Sequence, residues 1–185
     1  MQSASLALIC FAALLANAQE LGLPLSPVTR LPSPDGSKVL YGVPYEKSRS
    51  GGPELWIENT RTRQRTKLFD IGGTLTAAWS PDGTAFYVNN RWASDREQAY
   101  IYDAATLKRI DIGALILAAD PAARQFANGH AYYEVEHWTD SRNVAVRFFG
   151  HTDLPPVTHF DFRYRVSRSG KVKRLSQETA PVRGG

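Results

Sequence analysis

Ser80-Pro81-Asp82-Gly83, inside the stretch WSPDGTAFYV from Trp79 to Val88, decides the fold, because the same tetrapeptide stands at Ser33-Pro34-Asp35-Gly36 in PSPDGSKVLY. Proline presets the φ that the second position of a type I turn requires. Aspartate tolerates the bridge region at the third position, and glycine takes a left-handed conformation without steric cost. Each tetrapeptide therefore reads as a hairpin corner. The runs that follow, SKVLYG and TAFYVN, are β-branched and aromatic and of strand length. Asp35 and Asp82 belong to their turns rather than to an acid–base pair.

A second motif repeats in register with the first. In LWIENTRT and AYIYDAAT, Asn59-x-x-Thr62 and Asp103-x-x-Thr106 have the form of a turn closed by an Asx side chain. Each unit then runs strand, S-P-D-G corner, strand, variable loop, strand, N/D-x-x-T turn, strand. The corners lie 47 residues apart, within the ~40–50-residue period of four-stranded propeller blades.

From Pro24 to Ile112 this framework resembles the exported β-propellers of the TolB type, built from WD-like repeats that carry the S-P-D-G corner. The resemblance implies an all-β fold: a partial or small propeller of about three four-stranded antiparallel, blade-like sheets. It implies no activity, because propellers serve in binding, scaffolding and catalysis alike.

The units expected are about 24–70, 71–112 and 113–176, forming one domain over 19–176. In the third, Asp120-Pro121 stands where a corner would fall, but Ala122 and Ala123 replace Asp-Gly, so the corner chemistry is lost and a degenerate unit is expected there. Alternation in HFDFRYRV puts Phe160, Phe162, Tyr164 and Val166 on one face and His159, Asp161, Arg163 and Arg165 on the other. SRSG then turns the chain into KVKRLS, and residues 177–185 read as a disordered tail. Three blades leave open edges, and the C-terminal strands are expected to close the structure within one chain. A monomer is favoured, because Arg163, Arg165, Lys171 and Lys173 would oppose their own copies across a shared edge.

The first residues, MQSASLALICFAALLANAQE, carry an apolar run from Leu6 to Ala16 followed by Ala16-Asn17-Ala18, the small-x-small pattern of a signal peptidase site. Residues 1–18 are expected to be a signal peptide, cleaved after Ala18, that sends the chain to the periplasm or outside the cell. The run is far shorter than the ~20 residues of a membrane span. Cys10 is the only cysteine, and Ile9 before it is not the small residue that lipoprotein processing requires. Disulfides therefore hold nothing together in the remaining 167 residues. A formal charge of +4 is mildly basic and compatible with an anionic cell-envelope polymer, without requiring one.

Three groups of residues invite a functional reading. His130, His137, His151 and His159 lie within thirty residues, interleaved with Glu134, Glu136, Asp140, Asp153 and Asp161. His130, His137, His159, Glu134 and Asp161 are the catalytic candidates. Parity along one strand sends His130 and His137 to opposite faces and no H-E-x-x-H is present, so no metal site is expected. TRTRQRTK puts Arg61, Arg63, Arg65 and Lys67 on alternate positions, the pattern of a solvated outer strand or an anion-binding stripe. The loops GVPYEKSRSGGPE and NNRWASDREQ fall at the same place in their two units. Tyr45, Arg49, Arg91, Trp92, Asp95 and Arg96 in them include the aromatic and arginine types that anchor interfaces.

No G-x-S-x-G, no phosphate-cradling loop and no cysteine outside the expected signal is present, and no nucleic-acid module is suggested. The leading expectation is an exported, non-enzymatic binding or scaffold module that needs no cofactor and takes a protein or cell-envelope partner through its loops. The alternative is a hydrolase or lyase acting on extracellular glycan or peptide with the acids and histidines of residues 130–161.

Overall fold

The two S-P-D-G stretches fold as the same object. Ser33 and Ser80 each donate a side-chain hydrogen bond to the aspartate two residues on, at 2.6 and 2.7 Å, and accept the N–H of Lys38 and Ala85 at 3.0 Å. Gly36 and Gly83 sit at φ 68° and 69°, where a Cβ is disfavoured. The hydrogen bonds from Ser33 and Ser37 hold the Asp35 carboxyl down at about 2. The Asx turns match as closely: Asn59 accepts from the N–H of Thr62 at 3.0 Å and Asp103 from that of Thr106 at 2.8 Å. Arg63 and Leu107 then take φ 61° and 57°.

The computed structural model describes residues 19–21, 30–44, 47–48, 52–93, 96–153 and 157–181, so the signal reading lies outside the described residues. A first sheet of four antiparallel strands runs β2 (Arg30–Pro32), β3 (Lys38–Val43), β4 (Glu54–Asn59), β5 (Arg65–Asp70), in that order. A second, nine-stranded sheet begins with β1 (Gln19–Leu21), which pairs with β6 (Thr74–Trp79) and is followed by β7 (Ala85–Ala93) and β8 (Arg96–Asp103). Beside β8 lie both the short β9 (Arg109–Asp111) and β10 (His130–Trp138); β11 (Asn143–His151), β12 (Thr158–Ser167) and β13 (Val172–Pro181) complete it.

Separate four-stranded sheets therefore describe only the first unit. β9 occupies the Tyr100–Tyr102 part of β8, leaving its start free, and β10 pairs there in parallel through Ala131↔Arg96 and Tyr132↔Glu97. The third unit thus continues the second instead of standing apart. As the loss of Asp-Gly implies, no corner forms there: Asp120 caps the short helix α2 (Pro121–Arg124) by accepting from Ala122 N–H at 3.0 Å, with Pro121 in its first turn. Without a glycine to enter the left-handed region, the alanines after Pro121 continue into helix. Before it lies α1 (Ile112–Ala119), capped by Asp111.

Two cores follow from this stacking. Leu40, Leu55 and Ile57 of the first sheet pack with Leu75, Trp79, Phe86 and Val88 of the second. On the other side, Tyr87 and Ile101 share a core with α1, Phe126, Phe148 and the Phe160, Phe162, Tyr164, Val166 face of β12, as the alternation of β12 implies. Full burial of a side chain the size of Phe162 is worth about 1.5–3 kcal/mol. Asn89, buried on β7, ties the units together: its amide donates to the Val135 carbonyl and accepts the Val135 N–H, both at 2.9 Å.

Among the described residues neither sheet closes on itself and β13 pairs only with β12, so the expected closure by the C-terminal hairpin does not occur. Gln177–Pro181, expected in a disordered tail, extends β13; its side chains are exposed because an edge strand is held by backbone bonds alone.

Candidate functional site

The two ends of the large sheet differ in chemistry. At one end lie the second corner, the Asp103 turn and the β10–β11 and β12–β13 turns. Arg168 locks them by donating to Thr84 Oγ1 at 2.6 Å, the Ser141 carbonyl at 3.3 Å and Asp103 Oδ2 at 3.4 Å. At the other end β7 gives way to β8, β10 starts, β11 ends and β12 starts. Arg91, Trp92, His130, His151 and His159 are all carried there. Parallel pairing of β10 with β8 is what brings the loop candidates and the histidine candidates to one end.

Trp92 is 46 % exposed and lies on Gly72, where a Cβ would come within 2.8 Å of its ring. The guanidinium of Arg91 stands 5.4 Å from the ring centre of Tyr132, and Tyr132 stacks on Phe149 at 5.2 Å. Phe149 is covered in turn by Arg147 at 4.2 Å. Of the other interface candidates, Tyr45, Arg49 and Asp95 lie outside the described residues, and Arg96 is described only as the first residue of β8.

Three histidines form a row across three strands. His130 is the register partner of His151, and His151 of His159. His130 Nδ1 and His151 Nε2 are 2.7 Å apart, and Asp153 Oδ1 lies 3.8 Å from His130 Nδ1. The His159 ring meets that of His151 edge-on at 5.9 Å. Strand parity predicts opposite faces for His130 and His137, but the register shift between Val135 and His137 puts both on one face, and only distance along β10 keeps His137 out of the row, which is built between strands. His137 is exposed opposite Ala145, about 20 Å down the strand.

Of the two acidic candidates, Asp161 is engaged in ion pairs. Asp161 pairs with Arg147 at 2.6 Å and with Arg163 at 3.3 Å, and Arg163 also pairs with Glu136. Glu134 sits opposite Arg147 in the β10–β11 register. The basic stripe is not one strand face, because Arg61 and Arg63 belong to the turn before β5. Arg63 and Arg65 converge with Arg30 on the buried Glu58 at 2.9, 3.1 and 3.6 Å, and Lys67 pairs with Glu54 and Asp70, each at 2.8 Å. An anion would have to displace these carboxylates.

Two depressions flank the histidine row. A groove of about 880 Å³ is lined by Tyr132, Arg147, Phe149, His151, His159 and Asp161. A cleft of about 690 Å³ between the sheet and α1 is lined by Glu97, Asp111, His130, Tyr133 and Asp153 among others. Burial in that cleft raises the Glu97 carboxyl to about 7; Glu134 adds to the rise and Arg91 opposes it. Glu97 carries no motif, and only the β8–β10 junction makes it a site residue.

No protein-family model matches the sequence, and no curated protein matches it. Among solved structures, the β-propeller domain of the Trilobed protease from Pyrococcus furiosus matches 80% of this chain and 43% of its own, at 14% identity and a TM-score of 0.51. The chain has a β-propeller-like, all-β fold. TolB from Acinetobacter baumannii also matches, at 18% identity over 84% of this chain and 43% of that one, with a TM-score of 0.35. Pyrococcus horikoshii acylaminoacyl peptidase matches over 92% and 26% at 16% identity and a TM-score of 0.44. The chain spans less than half the length of these matched chains. No helix among its described residues is long and apolar enough to cross a membrane.

Proposed function

We propose that this segment is an exported, non-enzymatic binding module that takes a protein partner at the end of the sheet carrying Trp92. The observation that carries the proposal is the exposure of Trp92 on a glycine seat, beside the Arg91–Tyr132–Phe149–Arg147 stack. Rigid aromatic rings and arginines are the residues on which interface energy concentrates. The opposite end is engaged in its own turns. Export is supported by the apolar run and the Ala16-Asn17-Ala18 site.

The test is capture of a partner from a periplasmic extract by the tagged full chain. Trp92→Ala is expected to lower capture at least tenfold, about the 1.4 kcal/mol or more that a hot-spot residue supplies. Leu175→Ala, which truncates the other large exposed apolar side chain among the described residues, is expected to leave capture unchanged. The reverse pattern would move the interface to the β13 edge.

A second reading is favoured by Glu97, whose carboxyl is raised to about 7 in a cleft that also holds His130. It makes the segment part of a hydrolase or lyase acting on extracellular glycan or peptide. Turnover lost in Glu97→Gln while partner capture persists would establish that reading.

A further inference from the structure

The geometry points to a binding site for a divalent transition ion of the Zn²⁺ class at His130, His151 and Asp153, at the strand-start end of β10. Each side chain can offer one ligand atom, and the three atoms lie within 4.8 Å of one another. In a tetrahedral zinc site with bonds of ~2.0–2.1 Å, neighbouring nitrogens are about 3.3 Å apart. His130 Nδ1 and His151 Nε2, at 2.7 Å, need to open by a few tenths of an ångström, and Asp153, at 3.8 Å from His130, to close by a similar amount. All three side chains are partly exposed, so small rotations suffice.

The surroundings prepare the ligands. His151 Nδ1 lies 3.3 Å from the Thr152 carbonyl, which can only accept, so this contact favours the tautomer with the proton on Nδ1, in which Nε2 presents its lone pair toward His130. A ring held by its second nitrogen to a backbone carbonyl is the usual support of a metal-binding imidazole. The approach of the two strands is also built in. A Cβ on Gly150 would overlap the His130 carbonyl, and one on Gly129 the His151 carbonyl, so both positions flanking the pair admit only glycine.

The donor set selects the ion. Two imidazole nitrogens and one carboxylate suit zinc and its neighbours, whereas Mg²⁺ and Ca²⁺ favour all-oxygen shells. His159, next in the row, stands with its ring centre 5.9 Å from that of His151.

Equilibrium dialysis of the full chain against Zn²⁺ tests the site. One ion per chain is expected, retained against a large excess of Mg²⁺. His130→Gln and His151→Gln should each weaken binding about 100-fold or more, and Asp153→Asn about tenfold. His137→Gln, on the same strand but outside the cluster, should bind as the parent does. Co²⁺ in place of Zn²⁺ should give the intense visible bands of a four-coordinate N/O site, lost in Asp153→Asn, whose exposed position leaves folding untouched. Absence of saturable Zn²⁺ binding by the parent, undiminished binding in both histidine variants, or an equal loss in His137→Gln would overturn the assignment. None of these readings depends on the protein partner, so failure of one proposal leaves the other standing.

Discussion

Replacing Asn89 with alanine is expected to lower the unfolding free energy by about 3 kcal/mol, the loss arising where β10 crosses the second unit. The side chain imitates a strand. Its amide donates to the Val135 carbonyl and to Thr76 Oγ1, each at 2.9 Å, and its oxygen accepts from Val135 N–H. Asn89 is 3 % exposed and Val135 is 1 % exposed, so water cannot replace what the truncation removes. A buried backbone donor and a buried acceptor left without partners cost about 1–3 kcal/mol each. Asn90→Ala is the matched control. It is equally buried but accepts one long bond, 3.4 Å from Gly72 N–H, and is expected to cost about 1 kcal/mol. Urea unfolding of both variants checks the difference; equal midpoints would mean that Asn89 does not fasten β10.

Gly150→Ala is expected to cost about 3 kcal/mol and to pull the histidine row apart. Gly150 has φ 150°, and the added methyl would overlap the carbonyl of its register partner's neighbour, His130. Strand backbones cannot yield as a side chain can, so the overlap adds to the strain of the backbone conformation. Gly170→Ala separates the two contributions. It also has a positive φ, 85°, yet the nearest atom to its Cβ would be Leu115 Cδ2 at 3.7 Å, an ordinary contact. That variant should lose about 1 kcal/mol, the left-handed cost alone. Thermal unfolding of the pair measures both, and equal losses would show that the β10–β11 approach is not tight.

What the sequence disclosed follows from the range of each interaction. The corners and Asx turns were legible because the bonds that shape each of them span at most five residues, from Ser33 to Lys38 and from Asp103 to Thr106. β12 was legible because one face is buried, which imposes period-2 alternation. β13 beyond Leu175 was not, since an edge strand exposed along its length leaves no apolar pattern to read. Arg61 and Arg63 alternate like strand residues but lie in the turn after Asn59, where the Asx bond overrides the pattern. The candidate site was half legible: histidine density was visible, but His130, His151 and His159 meet only through pairing between strands. Glu97 was invisible for the same reason, because its burial depends on a parallel partner 35 residues away.

The parallel junction of β8 with β10 is the claim on which the site rests, because it sets the histidine row beside Trp92. A disulfide across it is the direct measurement. Glu97 and Tyr132 are register partners, and adjacent strands ~4.8 Å apart place paired Cα atoms inside the 4.4–6.8 Å range that a cystine spans. In a Cys10→Ser background, Glu97→Cys with Tyr132→Cys should oxidise to an intramolecular cystine, read by mass spectrometry of the digest. The control pair Tyr132→Cys with Phe149→Cys, across β10 and β11, should oxidise as well. Cross-linking in both pairs is the predicted result; cross-linking in the control alone would place β10 away from β8 and contradict the shared surface.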